Sequence, residues 1–497
     1  MFEKLKIWWL YGTVFITGAS VLIIEILGTR VLAPFFGSTI YVWSSLITIT
    51  LGALALGYFV GGYFADKYPK PKSFYGVVFI AGFFTALLIK ISEPVLTWSD
   101  RFGFQWGPLA AALILFSLPL FFFGMVTPFA IRLRASLVEH TGHISGTIFA
   151  IATVGSVAGA ILTGFYLIPN FFFSTVFIAL GLIVMLVALL GLLLERTKWK
   201  ILSLCVLLGI MAFFAPSYES AKNSDITVLY RSPSFYGDIV VAEKDAFRCL
   251  IVDTQAQNCT GIDGRQAFAY GGAIVDILSS ATHRDSALAI GLGGGVITRD
   301  LREHFNKVDA VEIDAKMVEV AERFFGYDTG GANARVFIAD GRRFLRENTK
   351  RYDAIVLDAF SGPSLASHLY TKEAFEEIRN SLSADGIAIV NTVGFAAGSK
   401  AELQRAMFKT LKQIFPFVIA VSTEEVKKDE EIFANIIFIA SGKEITLSIR
   451  AGLLARYADS ELDQTASLTD ARNPIDILSI PIFEESRKVY HNIFGSL

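Results

Sequence analysis

The apolar residues of this chain are segregated to one end. Seven runs long enough to cross a bilayer crowd into residues 1–216, near 8–33, 40–64, 73–91, 107–131, 144–168, 172–194 and 200–215. A spanning helix needs roughly 20 apolar residues, and in lipid each backbone N–H must be satisfied within its own segment. Residues 1–216 are therefore expected to form a multi-pass helical membrane domain of about seven helices, with the lipid bilayer as a partner. Residues 217–497 have an ordinary soluble composition, so the chain divides there. The first run is too long for a cleavable signal peptide, lacks a small-residue cleavage site and is followed by further runs. A net charge of −2 argues against a nucleic-acid partner, which selects a basic face.

Lysines and arginines mark alternate connections: Lys4 and Lys6, then Lys67, Lys70 and Lys72, then Arg132 and Arg134, then Arg196, Lys198 and Lys200. Positive charge stays inside. Seven spans from an inside N-terminus would put the soluble part outside. If 200–215 is not a span, that part faces the cytoplasm. Gly155-x-x-x-Gly159 and Ala160-x-x-x-Gly164 predict a close helix-packing face. Glu25 and Arg30 stand in an apolar stretch, where ionisable groups need a partner or a cavity. Cys205 reads as inert packing. Cys249 and Cys259 flank a hairpin centred on Thr254 that sets them opposite each other, either as a disulfide or as two buried thiols.

The soluble half opens with short β-type runs at 226–230, 238–243, 248–252 and 257–262, which predict a small antiparallel lid over 217–265. Helix-period sequence follows from 266 to 279. Strands are expected at 287–291, 308–312, 335–339, 353–357 and 386–391, with helices between the first four. That alternation predicts a doubly wound, Rossmann-like sheet over 266–497, of the methyltransferase type, with its site at the carboxyl ends of the strands. The first of these strands runs into Gly291-Leu292-Gly293-Gly294-Gly295. Gly291, Gly293 and Gly295 let the backbone approach a ligand, and Val296 replaces the glycine that a dinucleotide pattern requires. Three strand ends carry an acid. Glu312 can accept from a ribose diol, Asp340 from an adenine amine with Gly341 leaving room for the ring, and Asp358 can hold or deprotonate an amine. Each could instead cap a helix. No metal-ligand set is evident.

Taken together, Ser234-Phe235-Tyr236, Asp253 to Gln257, Ala267-Phe268-Ala269-Tyr270, the glycine loop, Val311-Glu312-Ile313-Asp314, Ala339-Asp340-Gly341 and Tyr352 to Asp358 resemble the polyamine aminopropyltransferases, or spermidine synthases. Glu25 to Gly37, Gly57-Tyr58 to Asp66, Gly155-Ser156 and Leu468-Thr469-Asp470 resemble their membrane-fused branch, so a prokaryotic plasma membrane is the expected location. The resemblance implies transfer of an aminopropyl group from decarboxylated S-adenosylmethionine, a co-substrate rather than a tightly bound cofactor, to a small amine. It implies Asp358 as the catalytic carboxylate, Glu312 on ribose, Asp340 on adenine, Gln257 and Tyr270 along the donor or acceptor pocket, and Tyr236 and Ser361 toward the substrate.

The departures cluster on the amine side. Gly294 stands where soluble synthases carry an acid facing the donor's amine. Ser361 stands where a second acid helps hold a diamine, Gly237 replaces a glutamine, and Gly271 replaces a histidine. An S-adenosylmethionine-dependent methyltransferase is therefore the alternative enzyme, since Gly294 would admit a donor that keeps its carboxylate. A non-catalytic nucleoside sensor is the third reading. A transporter is poorly marked, because no inverted repeat is evident. The sequence leaves a homo-oligomer open.

Overall fold

The computed structural model describes residues 2–37, 39–135, 141–197, 226–253, 255–261, 269–279, 283–331, 333–361, 364–426, 430–444 and 451–494. The chain divides into two compact units, Met1–Ser220 and Ala221–Leu497.

In the first unit, five continuous helical stretches are long and apolar enough to cross a membrane: Phe2–Phe36, Ile40–Lys67, Pro71–Arg134, Thr141–Asn170 and Phe173–Leu194. The third is 64 residues long. It holds two of the expected runs as the helices Pro71–Ser99 and Gly103–Arg134, joined by a single 3-10 turn at Asp100–Phe102. Six of the seven expected runs are thus helical, and the seventh, with Cys205, lies outside the described residues. Glycines sit where helices cross. A Cβ on Gly159 would lie 2.5 Å from the Ala19 carbonyl oxygen, one on Gly61 2.6 Å from the Met125 Cα, and one on Gly82 2.8 Å from the Gly181 carbonyl oxygen. Ser156 Oγ adds a hydrogen bond of 2.9 Å to the Gly18 carbonyl. The expected packing face is therefore real at Gly155 and Gly159, against the first helix. It does not continue to Gly164, where a Cβ would meet nothing within 4 Å.

The second unit begins with an antiparallel four-stranded sheet, β1 (Ile226–Pro233), β2 (Asp238–Lys244), β3 (Phe247–Val252) and β4 (Gln255–Gly261), in sequential order. Cys249 pairs with Cys259 in register and the two form a disulfide. The turn is tighter than the expected one centred on Thr254, since Val252 already pairs with Gln255. The extra residue is absorbed by a bulge, with Ala256 opposite Ile251 and Asn258 opposite Leu250. Gln257 is that extra residue.

Beyond the helix Ala269–Leu278 come β5 (Ser286–Ile290), β6 (Lys307–Glu312), β7 (Ala334–Ile338), β8 (Tyr352–Leu357), a two-residue pair β9 (Phe360–Ser361) and β10 (Ser364–Leu365), then β11 (Leu382–Phe395), β12 (Phe417–Ser422) and β13 (Phe433–Ser441). The main sheet has the order β12-β13-β11-β8-β5-β6-β7. β11, β8, β5, β6 and β7 run parallel, whereas β13 lies antiparallel between β11 and β12. The sheet therefore has two more strands than the sequence suggested, both at its far edge. Both faces are covered: Leu288 and Ile290 pack into one buried cluster, Ala287 and Ala289 into the other. A strand buried on both faces needs apolar residues throughout, which is why β5 reads as an unbroken apolar run. β5 has β6 on one side and β8 on the other, so the chain reverses its winding there and a crevice opens at their carboxyl ends.

Candidate active site

A cavity of about 130 Å³ occupies that crevice. It is lined by Tyr236, Gln257, Tyr270, Gly291, Gly293, Glu312, Asp340, Gly341 and Asp358, so nine of the residues singled out in the sequence converge on one space. Gly291 has φ +96°, and a Cβ there would collide with the carbonyl oxygen of Asp358, so only glycine lets β5 pass the start of the next loop. Gly341 leaves its room against Ile290, whose Cγ2 would lie 2.5 Å from a Cβ. Gly295 is not in the lining. It is the left-handed residue (φ +77°) that starts the helix Val296–His304, seated on Tyr327. Ser361 lies on β9, immediately after the cavity-lining Phe360, and its side chain is outside the described residues.

Each acid has a defined set of partners. Glu312, 8% exposed, accepts from Leu292 N at 2.9 Å and from Asp314 N at 3.0 Å. Burial raises its pKa against those two N–H groups, which pull it down. The glycine loop is thereby fastened to the end of β6, with a further pull from the Gly293 N–H, and the carboxylate keeps acceptor capacity for a ligand. Asp340 caps the helix Gly341–Glu347 through Arg343 N at 2.9 Å and receives His368 Nε2 at 2.7 Å. Burial pulls this carboxyl upward, but the Arg343 N–H and His368 outweigh it and hold it below its usual value. Capping and pocket lining thus coexist in Asp340.

Asp358 follows β8 directly, half-buried in the cavity wall. Burial pushes its carboxyl up to about 6, against a hydrogen bond of 2.8 Å from Asn391 Nδ2, which lowers it. Asn391 is 1% exposed on β11, and its own Oδ1 accepts from Asn435 Nδ2 at 3.2 Å. Tyr370, fully buried, donates to the Ala359 carbonyl at 3.0 Å and braces the same turn. Tyr270 is raised well above its ordinary value by burial and then by Asp358. Tyr236 is raised by burial and then by Asp314, Asp340 and Glu312, with which it lines the cavity.

Several contributors are not evident from sequence. Asn391 is a lone amide directly after the apolar run Ile387–Val390, and that break is the signal that could have flagged it. Asn258 lines the cavity with its amide 2.7 Å from where a Cβ of Gly294 would stand. It fills the space that opens because the loop carries no side chain there. His368 reaches Asp340 because Arg342, 6% exposed, holds the His368 carbonyl at 3.0 Å while paired with Asp470 at 2.6 Å and with Glu377. That pairing gives Asp470, far along the chain, its place in the pattern.

A second cavity, of about 180 Å³, adjoins the first and shares Gln257, Tyr270 and Phe360 with it. Asn391 and Asn435 form part of its wall, and the helix Ile480–Phe494 closes it through Ile482, Phe483 and Ser486.

Residues 267–446 match the spermine/spermidine synthase domain. The chain is 34% identical over 178 residues to a polyamine aminopropyltransferase of Vibrio vulnificus (strain CMCP6), covering 33% of this chain and 59% of that one. It is 25% identical over 441 residues to polyamine aminopropyltransferase 2 of Aquifex aeolicus (strain VF5), covering 82% and 84% respectively, so that likeness includes the helical half. A crystal structure of spermidine synthase from Thermotoga maritima superimposes with a TM-score of 0.37 at 16% identity, over 53% of this chain and 88% of that one.

Proposed function

We propose, from a chain whose residues 267–446 match the spermine/spermidine synthase domain, that it is a membrane-tethered aminopropyltransferase using decarboxylated S-adenosylmethionine and a small amine. The observation that carries this is the position of Asp358. Its carboxylate lines the nucleoside cavity, and its hydrogen-bond partner Asn391 lines the neighbouring one. An amine held across that boundary meets a group able to accept a proton near neutral pH.

The chemistry follows from the charges. The donor is a sulfonium, so the carbon next to sulfur on its aminopropyl arm is electrophilic. Asp358 attracts the protonated acceptor and takes one N–H proton. The freed lone pair forms a C–N bond as the C–S bond breaks, and the electron pair of that bond returns to sulfur, leaving neutral methylthioadenosine. Glu312 holds the ribose and Asp340 the adenine amine, each with the lone pairs not used on backbone or His368. Tyr236 closes over the nucleoside side, and Gln257, turned inward by its bulge, spans both cavities.

The methyltransferase alternative is favoured by one feature, the neutral Asn258 amide beside Gly294, which repels neither an ammonium nor a carboxylate. Calorimetric titration of the full-length protein separates the readings. Decarboxylated S-adenosylmethionine and methylthioadenosine are expected to bind more tightly than S-adenosylmethionine, and failure of all three to bind refutes both.

A further inference from the structure

We infer that the acceptor is an amine with a single cationic head and an uncharged, largely apolar body, not a diamine; this rests on the transferase reading of the same site. The second cavity is where the acceptor's body must lie, because it continues from the Asp358 side through the shared residues Gln257, Tyr270 and Phe360. Its apolar lining includes Val393, Leu403, Phe433, Ile482 and Phe483, of which Leu403 is 1% exposed, Phe483 4% and Ile482 5%. The polar groups that reach it are neutral: Gln255, Gln257, Tyr270, Asn391, Asn435, Ser479 and Ser486. Among the described residues that line it, none is charged.

A diamine bound in line would place its second ammonium in this space. A buried ammonium is tolerated when a carboxylate or several well-aimed acceptors compensate its lost hydration. Here Asn391 already accepts from Asn435, and its amide donates to Asp358. Val393, Leu403 and Ile482 offer nothing polar. An alkyl or aryl chain, in contrast, gains from burial against the same side chains.

The test compares butylamine with 1,4-diaminobutane, which share a carbon chain and differ in the second ammonium. Both are titrated calorimetrically into the full-length protein in nanodiscs, with and without saturating methylthioadenosine. Butylamine is expected to bind at least about 10-fold more tightly. Val393→Asp and Ser486→Asp, each adding a carboxylate to the wall, are expected to reverse the order, with retained methylthioadenosine binding as the check on folding. Equal or tighter binding of 1,4-diaminobutane to the unmodified protein overturns the inference. Absence of methylthioadenosine binding counts against the transferase reading instead, while the order of the two amines still decides this one.

Discussion

Asn391 Nδ2 donates to Asp358 Oδ1 at 2.8 Å across the gap between β11 and the end of β8. This bond is the principal support of the ionised carboxylate, since burial opposes its charge. Removing it with Asn391→Ala raises the Asp358 pKa, so the ionised base is reached only at higher pH. The rising limb of the rate profile, expected near pH 6 in the unmodified enzyme, should move alkaline by about 1 pH unit, the equivalent of one charge-assisted hydrogen bond. A profile that keeps its midpoint while losing amplitude would show Asn391 acting only through packing.

Asp358→Asn should reduce kcat by about 10²–10⁴-fold, the usual contribution of a positioned general base. Its effect on stability has the opposite sign. The folded carboxyl titrates above its unfolded value, so between about pH 4 and about pH 6 the native state holds the extra proton and stability falls as pH rises through that window. The amide removes this loss. A variant inactive at pH 7 with an unchanged or raised Tm is expected, and a lowered Tm would make Asp358 a structural group.

Gly291→Ala should be severe for so small a change. The methyl group would enter the Asp358 carbonyl at a backbone angle of φ +96°. Strain of about 1–3 kcal/mol is expected, with loss of methylthioadenosine binding because the loop carrying Leu292 N is displaced from Glu312. Chemical denaturation and nucleoside titration of the variant measure the two effects separately. Gly293→Ala, where a Cβ would meet nothing within 4 Å, isolates the backbone term at φ +53°.

The Cys249–Cys259 bridge ties two neighbouring strands, with both residues nearly buried. Replacing the pair with alanine should cost about 2–4 kcal/mol, as loss of a short closed loop does. Disulfides persist in oxidising compartments. Thiol trapping in intact cells should therefore find both cysteines blocked, and a membrane-impermeant label should reach a tag at Leu497. Blocked cysteines and an externally reachable tag would require the donor to be supplied from across the membrane. A reduced pair and a protected tag would put the domain in the cytoplasm.

How legible this molecule was depended on whether a residue's role leaves a local trace. Glu312, Asp340 and Asp358 each end an apolar strand, so their position at one sheet edge could be read directly, and the structure brings all three to one cavity. Parallel strands need apolar residues on both faces, which made β5 to β8 visible to within one residue at each end. β12 and β13 were missed because no glycine loop or terminal acid distinguishes an edge hairpin that only completes the sheet. Asn391, Asn258 and Arg342 act through partners 33, 36 and 128 residues away, namely Asp358, Gly294 and Asp470. Such pairings are set by sheet order and loop packing, which no window of sequence contains. The bulge that turns Gln257 inward is likewise a product of the two-residue turn before it, not of its own identity.

The most direct test of the account is the identity of the released nucleoside. The full-length protein, supplied with decarboxylated S-adenosylmethionine and a primary amine, should release methylthioadenosine in equal amount to the aminopropylated amine, and Asp358→Asn should stop both. Release of S-adenosylhomocysteine from S-adenosylmethionine, with no methylthioadenosine from any amine tried, would contradict it.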